Sequence, residues 1–231
     1  MRATDFINIY LEAQTDVEEG VNDPHIFKAV FMAGGPGSGK SYVAKTLFKQ
    51  FGGLKQLNSD TAFEILMSKA GLSWKMPDDE MEPRDRARAA AKGVTAKQDE
   101  LYKQGRLGMV IDGTGREYDK IAKMNLRLQA LGYDTAMIFV NTDIETALAR
   151  NARRDRTVPP QIATDSWKNV QQNIGRFQQT FGQNMLIVDN SENSDVQAQI
   201  AQVEKTMRQW LSTPPRSRVA QQWIQQQREQ R

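Results

Sequence analysis

The sequence of 231 residues contains no cysteine and a single histidine, His25. Without thiols the chain has neither disulfides nor thiolate metal sites, so we expect a fold that does not depend on an oxidising compartment. One histidine also argues against catalytic triads and clusters of histidine ligands. We predict a loop or packing role for His25, and we disfavour functions that need histidine chemistry.

The sequence also lacks any run of about 18 apolar residues, the length that a helix needs to cross a bilayer. The first six residues include an acid and no long apolar stretch, so we expect no signal peptide and a cytoplasmic protein. Hydrophobic residues make up 39% and charged residues 26%, which is typical of a soluble globular protein. We expect one domain with appendages and no membrane partner.

The net charge of +3 is unevenly distributed along the chain. Residues 1–82 contain 8 Lys/Arg and 12 Asp/Glu, whereas residues 83–231 contain 23 and 16. A basic C-terminal part suits a polyanionic partner, either nucleotide phosphates or a nucleic-acid backbone. A solvated basic surface without a partner explains the same asymmetry, and the charge alone does not decide between them.

Short apolar runs alternate with helical patterns along most of the chain. Buried strands are predicted at 27–33, 54–57, 109–112, 135–140 and 185–189. Helices are predicted at 4–14, 42–51, from 61 onward, at 84–104 with an interruption near Gly93, and at 117–131, 143–154, 160–181 and 195–211. This alternation indicates an α/β protein with a doubly wound, five-stranded parallel sheet.

Two segments do not follow this pattern. Residues 72–84 contain Trp74 and several acids, and we interpret them as a mobile insertion. The tail at 213–231 is rich in Gln and Arg, and Val219, Trp223 and Ile224 predict one amphipathic helix that docks on the body or meets a partner. We therefore expect a domain at 1–212 followed by this tail.

The strongest motif is G-x-x-x-x-G-K-[ST] at residues 34–41, which we call the phosphate-binding loop. It lies between a predicted strand and a predicted helix, as this motif requires. Its glycines let successive N–H groups point at an anion, and the helix N-terminus adds partial positive charge. The lysine neutralises β- and γ-phosphate charge, and the serine hydroxyl suits Mg²⁺. The loop predicts nucleotide binding by Gly35, Gly37, Ser38, Gly39, Lys40, Ser41 and Tyr42.

Two acids follow predicted strands on the edge of the sheet where ligands bind. Asp112 ends the third strand, and we predict that it holds Mg²⁺ together with Ser41. Asp60 follows the second strand, and we predict that it takes a proton from an acceptor hydroxyl. A plain helix N-cap role explains Asp60 locally as well. Asn58 and Ser59 are weaker candidates for contact with the acceptor.

A further motif is an arginine-rich segment at 150–160, which follows a predicted helix. Four arginines in seven residues repel one another unless an anion is present, and guanidinium groups match phosphate oxygens. Arg150 and Arg154 are four residues apart and share a helical face. We predict a lid over the phosphates at about 150–181. A solvated basic helix end is the alternative.

Together these motifs resemble the P-loop kinases of the polynucleotide kinase and zeta-toxin group, over about residues 27–190. The resemblance implies ATP and Mg²⁺ as cofactors and the strand order 2-3-1-4-5. It implies that Asp60 is the general base, that Lys40, Arg150 and Arg154 stabilise the transferred phosphate, and that Ser41 binds Mg²⁺. Asn190, just after the last strand, is where such kinases meet the adenine. In size and motif set the chain is also similar to phage DNA kinases that act on hydroxymethylated pyrimidines, in which case it would work in the host cytoplasm.

The acceptor is left open by the sequence. We expect transfer of the ATP γ-phosphate to a hydroxyl on DNA, either a 5-hydroxymethylpyrimidine base or a 5′-hydroxyl end. Trp74 would stack a base in this case, although a core role explains a lone tryptophan too. One alternative is a zeta-toxin-like kinase of a nucleotide sugar, and another is a switch that hydrolyses ATP without phosphorylating an acceptor.

Overall fold

The computed structural model describes residues 20–74, 77–153 and 158–230. The helix predicted at 4–14 lies outside the described residues. Five strands form one sheet in the order β2-β3-β1-β4-β5, and all of its pairings are parallel. The strands are β1 Lys28–Ala33, β2 Lys55–Leu57, β3 Met109–Asp112, β4 Asp134–Asn141 and β5 Met185–Asp189. The predicted fold class and strand order are confirmed.

The connecting helices cover both faces of this sheet. They are α1 Lys40–Gln50, α2 Ser59–Lys69, α3 Met81–Gln104, α4 Tyr118–Ala130, α5 Ile144–Ala152, α6 Pro160–Phe181, α7 Val196–Ser212 and α8 Arg218–Glu229. Alternate residues of β1 pack in two different cores, one on each face of the sheet. Phe31 packs in a core with α4 and α6, whereas Val30 and Met32 pack in a second core with α1 and α7. Because strand side chains alternate between faces, both faces of β1 are fully buried.

The region from 72 to 104 differs from the sequence prediction. The helix α3 is continuous through Gly93, where an added Cβ would meet nothing within 4 Å. One exposed glycine costs a helix only about 1 kcal/mol, so its neighbours keep it helical. The predicted mobile insertion contains regular structure, since Asp78–Glu80 forms a 3₁₀ helix that leads into α3. The carboxylate of Glu80 also accepts from the backbone N–H of Ser73 at 2.7 Å.

The tail helix α8 docks on the body rather than extending away from it. Ala220 is fully buried, and the Trp223 ring packs edge-on against Phe27 with 5.5 Å between ring centroids. Gly132 makes this contact possible, because it adopts φ +102° and a Cβ there would lie 3.2 Å from the Cβ of Ala220. Within the described ranges, no helix has the length and apolar composition needed to cross a membrane.

His25 lies in the loop that leads into β1. Its Nε2 is 2.9 Å from the carbonyl oxygen of Gly52, and its buried Nδ1 finds no partner among the residues that the structure describes. Burial is the main reason why the pKa of His25 lies below its ordinary value, and the nearby Lys28 ammonium lowers it further. The loop or packing role predicted for this histidine is confirmed, since it lies half-buried in this loop.

The lowered pKa of His25 predicts how stability responds to acid. Below the ordinary imidazole pKa of about 6.5 the unfolded chain binds the proton more tightly than the folded chain, so the free energy of unfolding falls as the pH falls through this window. The variant His25→Gln retains an N–H donor for the Gly52 carbonyl but does not titrate. Urea unfolding at pH 7.5 and 5.5 should show a larger loss of stability for the wild type than for the variant. Equal losses would contradict the assignment.

Candidate active site

The phosphate-binding loop joins β1 to α1 and leaves a group of backbone donors free. Gly37 and Gly39 adopt φ of 77° and 78°, a left-handed conformation that favours glycine. The helix α1 begins directly after Gly39 without a side-chain cap. The N–H groups of Gly37, Gly39, Lys40 and Ser41 donate to none of the described residues. Four such donors at a helix N-terminus are an arrangement that suits an anion.

Residues behind the loop fix its shape. A Cβ on Gly37 would lie 2.1 Å from the carbonyl oxygen of Ala147, and one on Gly39 would lie 2.1 Å from Nδ2 of Asn190. That Nδ2 donates to the carbonyl oxygen of Ser38 at 2.8 Å, and Asn190 is buried. Asn190 therefore supports the loop from behind. Its predicted contact with adenine stays a prediction.

Asp112 joins the loop to the second strand. One of its carboxylate oxygens accepts from the Lys40 ammonium, and the other accepts from Nδ2 of Asn58 at 2.8 Å. We call these three residues the Asp112 junction. The ion pair is largely buried, with exposed side-chain fractions of 15% for Lys40 and 21% for Asp112. The structure thus brings together the predicted phosphate lysine and the predicted metal-side acid.

Asn58 also begins the helix that carries Asp60. Its Oδ1 accepts from the backbone N–H groups of Asp60 at 2.8 Å and Thr61 at 3.4 Å, so Asn58 is the N-cap of α2. The alternative that Asp60 is the N-cap is wrong. Asp60 lies exposed in the first turn. The contact of Asn58 with the acceptor, for which it is a weaker candidate, stays a prediction, whereas the preference of Asn for N-cap positions is the sequence signal for the observed role.

Arg150 lies on the opposite side of the loop. Its Nη1 donates to the carbonyl oxygen of Asn190 at 2.8 Å and lies 3.6 Å from the place of a Cβ on Gly39. Arg154, its predicted partner, lies outside the described residues. The side chain of Asn151 bonds both backbone groups of Val158, at 2.6 and 3.1 Å, and so ties α5 to the residues before α6.

The remaining predicted ligands lie around the start of α1. Ser41 is exposed in the first turn of that helix. Tyr42 is also exposed, and its hydroxyl contacts Nε2 of Gln197. Ser38 is buried, and its Oγ has no hydrogen-bond partner among the described residues. The loop therefore presents Ser41 outward and keeps Ser38 beneath it.

A cavity of about 420 Å³ lies beside the Asp112 junction, and sequence reasoning did not identify it. It is bounded by the ends of β1, β2 and β3, by the start of α2, and by residues of α3 and α4. Asp112 and Ser59 are among its lining residues. No local sequence pattern signals it, because its walls come from segments that are distant along the chain.

The sheet order, the loop after β1 and the acid at the end of β3 together define the P-loop kinase fold. The family model described as Zeta toxin matches residues 11–200, and the chain belongs to this family. This confirms the zeta-toxin part of the resemblance. No curated protein matches the sequence.

Solved structures agree with this fold. A structure of the PezAT chromosomal toxin–antitoxin system of Streptococcus pneumoniae is 17% identical, with a TM-score of 0.54 and coverage of 91% of this chain and 94% of that chain. The AvrRxo1-ORF1:-ORF2 structure with ATP is 14% identical, with a TM-score of 0.59 and coverage of 82% and 64%. A putative kinase from Chloroflexus aurantiacus is 16% identical, with a TM-score of 0.50 and coverage of 77% and 97%. At these identities the likeness shows the fold alone.

The two roles of Asn58 predict different stabilities for two variants. Asn58→Ala loses both the bond to Asp112 and the cap of α2, whereas Asn58→Ser loses the first and keeps a capping oxygen. We expect Asn58→Ala to be less stable than Asn58→Ser by about 1 kcal/mol in urea unfolding. Ser59→Ala, at the exposed neighbouring position, is the control. Equal stability of the two Asn58 variants would contradict the capping role.

Proposed function

We propose that the chain is an ATP-dependent kinase that transfers the γ-phosphate of ATP to a hydroxyl group. The observation that carries this proposal is the Asp112 junction. Through Asn58 it connects the phosphate-binding loop to the first turn of α2, where Asp60 lies. A kinase requires the donor phosphates and the acceptor hydroxyl to meet at one point. The connection between the loop and the first turn of α2 supports such a meeting point.

The residues around the loop fit ATP with Mg²⁺. The loop N–H groups that donate to none of the described residues, together with the Lys40 ammonium, would hold the β- and γ-phosphates. The hydroxyl of Ser41 and the carboxylate of Asp112 are oxygen donors of the type that Mg²⁺ prefers. Within the described ranges, no three acidic or histidine side chains form a metal cage of their own, so these two residues would share the ion with phosphate oxygens and water. Bound Mg²⁺ would neutralise phosphate charge.

Asp60 would act as the general base of the transfer. The acceptor hydroxyl oxygen attacks the γ-phosphorus, the bond from that phosphorus to the β–γ bridging oxygen breaks, and ADP leaves. The hydroxyl proton passes to the Asp60 carboxylate. Arg150 lies beside the loop, where its guanidinium would stabilise the transferring phosphate, and we assign the same role to Arg154.

We propose DNA as the acceptor, through a 5-hydroxymethylpyrimidine base or a 5′-hydroxyl end. The basic composition of residues 83–231 supports a polyanionic partner. Trp74 supports it as well, since its side chain is 42% exposed and the core role considered for it is wrong. An exposed indole suits stacking on a base. A nucleotide sugar is the second candidate, and membership of the Zeta toxin family favours it.

The role of Asp60 can be tested by removing its charge. Asp60→Asn should bind ATP as the wild type does and should lose phosphoryl transfer by about 10²–10⁴-fold, the usual contribution of a general base. Transfer of label from γ-labelled ATP measures this loss. Glu64→Gln, one turn further along the same exposed helix face, is the matched control and should remain active. If Asp60→Asn transferred phosphate at the rate of the wild type, Asp60 could not be the general base.

The acceptor can be identified with the same labelled ATP and a small panel of compounds. The panel contains 5′-hydroxyl DNA and RNA, hydroxymethylpyrimidine DNA, nucleosides and UDP-sugars. We expect label on DNA and a rate that falls as salt rises. Label only on a UDP-sugar would contradict DNA as the acceptor and would support the nucleotide sugar instead. Phosphate release with no labelled acceptor would instead favour an ATP-hydrolysing switch.

A further inference from the structure

The helix α6 packs directly against the phosphate-binding loop. A Cβ on Gly35 would lie 3.7 Å from the Cα of Trp167 and 3.9 Å from Cγ2 of Val170. Val170 is buried and Trp167 is half-buried. Because Gly35 has no side chain, the backbone of the helix and the backbone of the loop approach each other closely. The position of α6 is therefore fixed relative to the loop.

Two side chains of α6 bond the end of β4. Nε1 of Trp167 donates to the carbonyl oxygen of Thr142 at 2.8 Å, and Nε2 of Gln171 donates to Oδ1 of Asn141 at 2.7 Å. Trp167 and Gln171 are four residues apart, so they lie on one face of the helix. Asn141 ends β4, and Thr142 begins the turn that leads into α5. The helix that packs on the loop thus also holds this turn.

The same turn is connected to Arg150, which α5 carries. The hydroxyl of Thr142 and Nη1 of Arg150 both donate to the carbonyl oxygen of Asn190, at 3.3 and 2.8 Å. The backbone N–H of Asn190 donates to the carbonyl oxygen of Asn141 at 2.9 Å, and its Nδ2 donates to the carbonyl oxygen of Ser38 in the loop. The end of β4, the arginine and the loop therefore meet at Asn190. A shift of the turn would change where the guanidinium lies relative to the loop.

The guanidinium of Arg150 keeps donors for a phosphate while it is held in this way. A guanidinium has five N–H donors in a planar fork. Those of Arg150 that do not bond the Asn190 carbonyl donate to none of the described residues. A donor group that is oriented before the phosphate arrives needs less reorganisation during the transfer.

We propose that Trp167 and Gln171 are positioning residues, which hold the turn between β4 and α5 so that Arg150 lies beside the phosphate-binding loop. They act through Arg150 and not through contact with a substrate. The action of Arg150 on a transferring phosphate rests on the proposed kinase function. Its orientation rests only on the contacts described above.

The first test measures the mobility of Arg150 in the full chain without nucleotide. The ¹⁵N relaxation of its Nε–H group gives an order parameter, and the loss of this signal in Arg150→Lys assigns it. Trp167→Phe/Gln171→Ala removes both donors and keeps an aromatic ring at 167. Trp210→Phe/Gln172→Ala is the matched control, because the indole N–H of Trp210 and the exposed side chain of Gln172 bond none of the described residues.

The wild type and the control should give an order parameter near that of rigid backbone, about 0.85, and the Trp167/Gln171 variant should fall below about 0.6. Equal order parameters in all three proteins would overturn the proposal. Thermal unfolding checks that each variant is folded. If the double variant does not fold, Trp167→Phe and Gln171→Ala are measured singly, and each should give an intermediate value.

The second test asks whether the two residues act through Arg150. The Trp167/Gln171 variant should lower kcat about tenfold or more with little change in the KM for ATP, since a misplacement of about 1 Å can cost about 10²-fold in rate. In an Arg150→Ala background the same two substitutions should lower kcat by less than about twofold, because the group that they position is already absent. An equal loss of kcat in both backgrounds would contradict a positioning role.

Failure of the kinase proposal has a different outcome. In that case no acceptor receives label from ATP, and the order parameter alone decides whether Trp167 and Gln171 orient Arg150. If the wild type transfers phosphate and the Trp167/Gln171 variant has the same kcat, the positioning role is wrong and the kinase proposal stands.

Discussion

The site depends on one carboxylate, which accepts hydrogen bonds from residues that follow two other strands. Asp112 ends β3, and it accepts from Lys40 after β1 and from Asn58 after β2. This is possible because β3 lies between β2 and β1 in the sheet, and parallel strands end on the same edge. In a low-dielectric environment the carboxylate and ammonium each require their partner. The strand order therefore determines that the loop, the acid and the start of α2 meet.

The other side of the loop is held by a different set of contacts. Asn190 after β5 holds the Ser38 carbonyl, Ala147 of α5 packs against Gly37, and Arg150 is anchored on the Asn190 carbonyl. The loop is thus held by contacts from both halves of the sheet, and these contacts preorganise its donors. Such preorganisation lowers the reorganisation that accompanies charge development in phosphoryl transfer.

Local patterns explain which parts of the structure could be predicted from the sequence. Apolar runs predict the strands, and the phosphate-binding motif predicts the loop between β1 and α1, because both patterns depend on neighbouring residues. The strand order came only from the resemblance. Asn58 and Asp112 are 54 residues apart, so their bond follows from the sheet order and not from any spacing. The predicted interruption near Gly93 is wrong, because the packing and helix propensity of the rest of α3 outweigh one glycine.

The cavity restricts what kind of DNA could serve as the acceptor. Its volume suits one nucleotide-sized unit, so with the DNA acceptor that we propose, a base within a stacked duplex would have to leave the stack before its hydroxyl reached the Asp112 junction. Extrusion costs a few kcal/mol in a duplex and much less in a single strand or at a strand end. The exposed Trp74 offers a surface on which an adjacent unstacked base could rest. Under the proposed function, DNA that is already unpaired would therefore fit the cavity better than an intact duplex, and a nucleotide sugar would meet the same requirement without any extrusion.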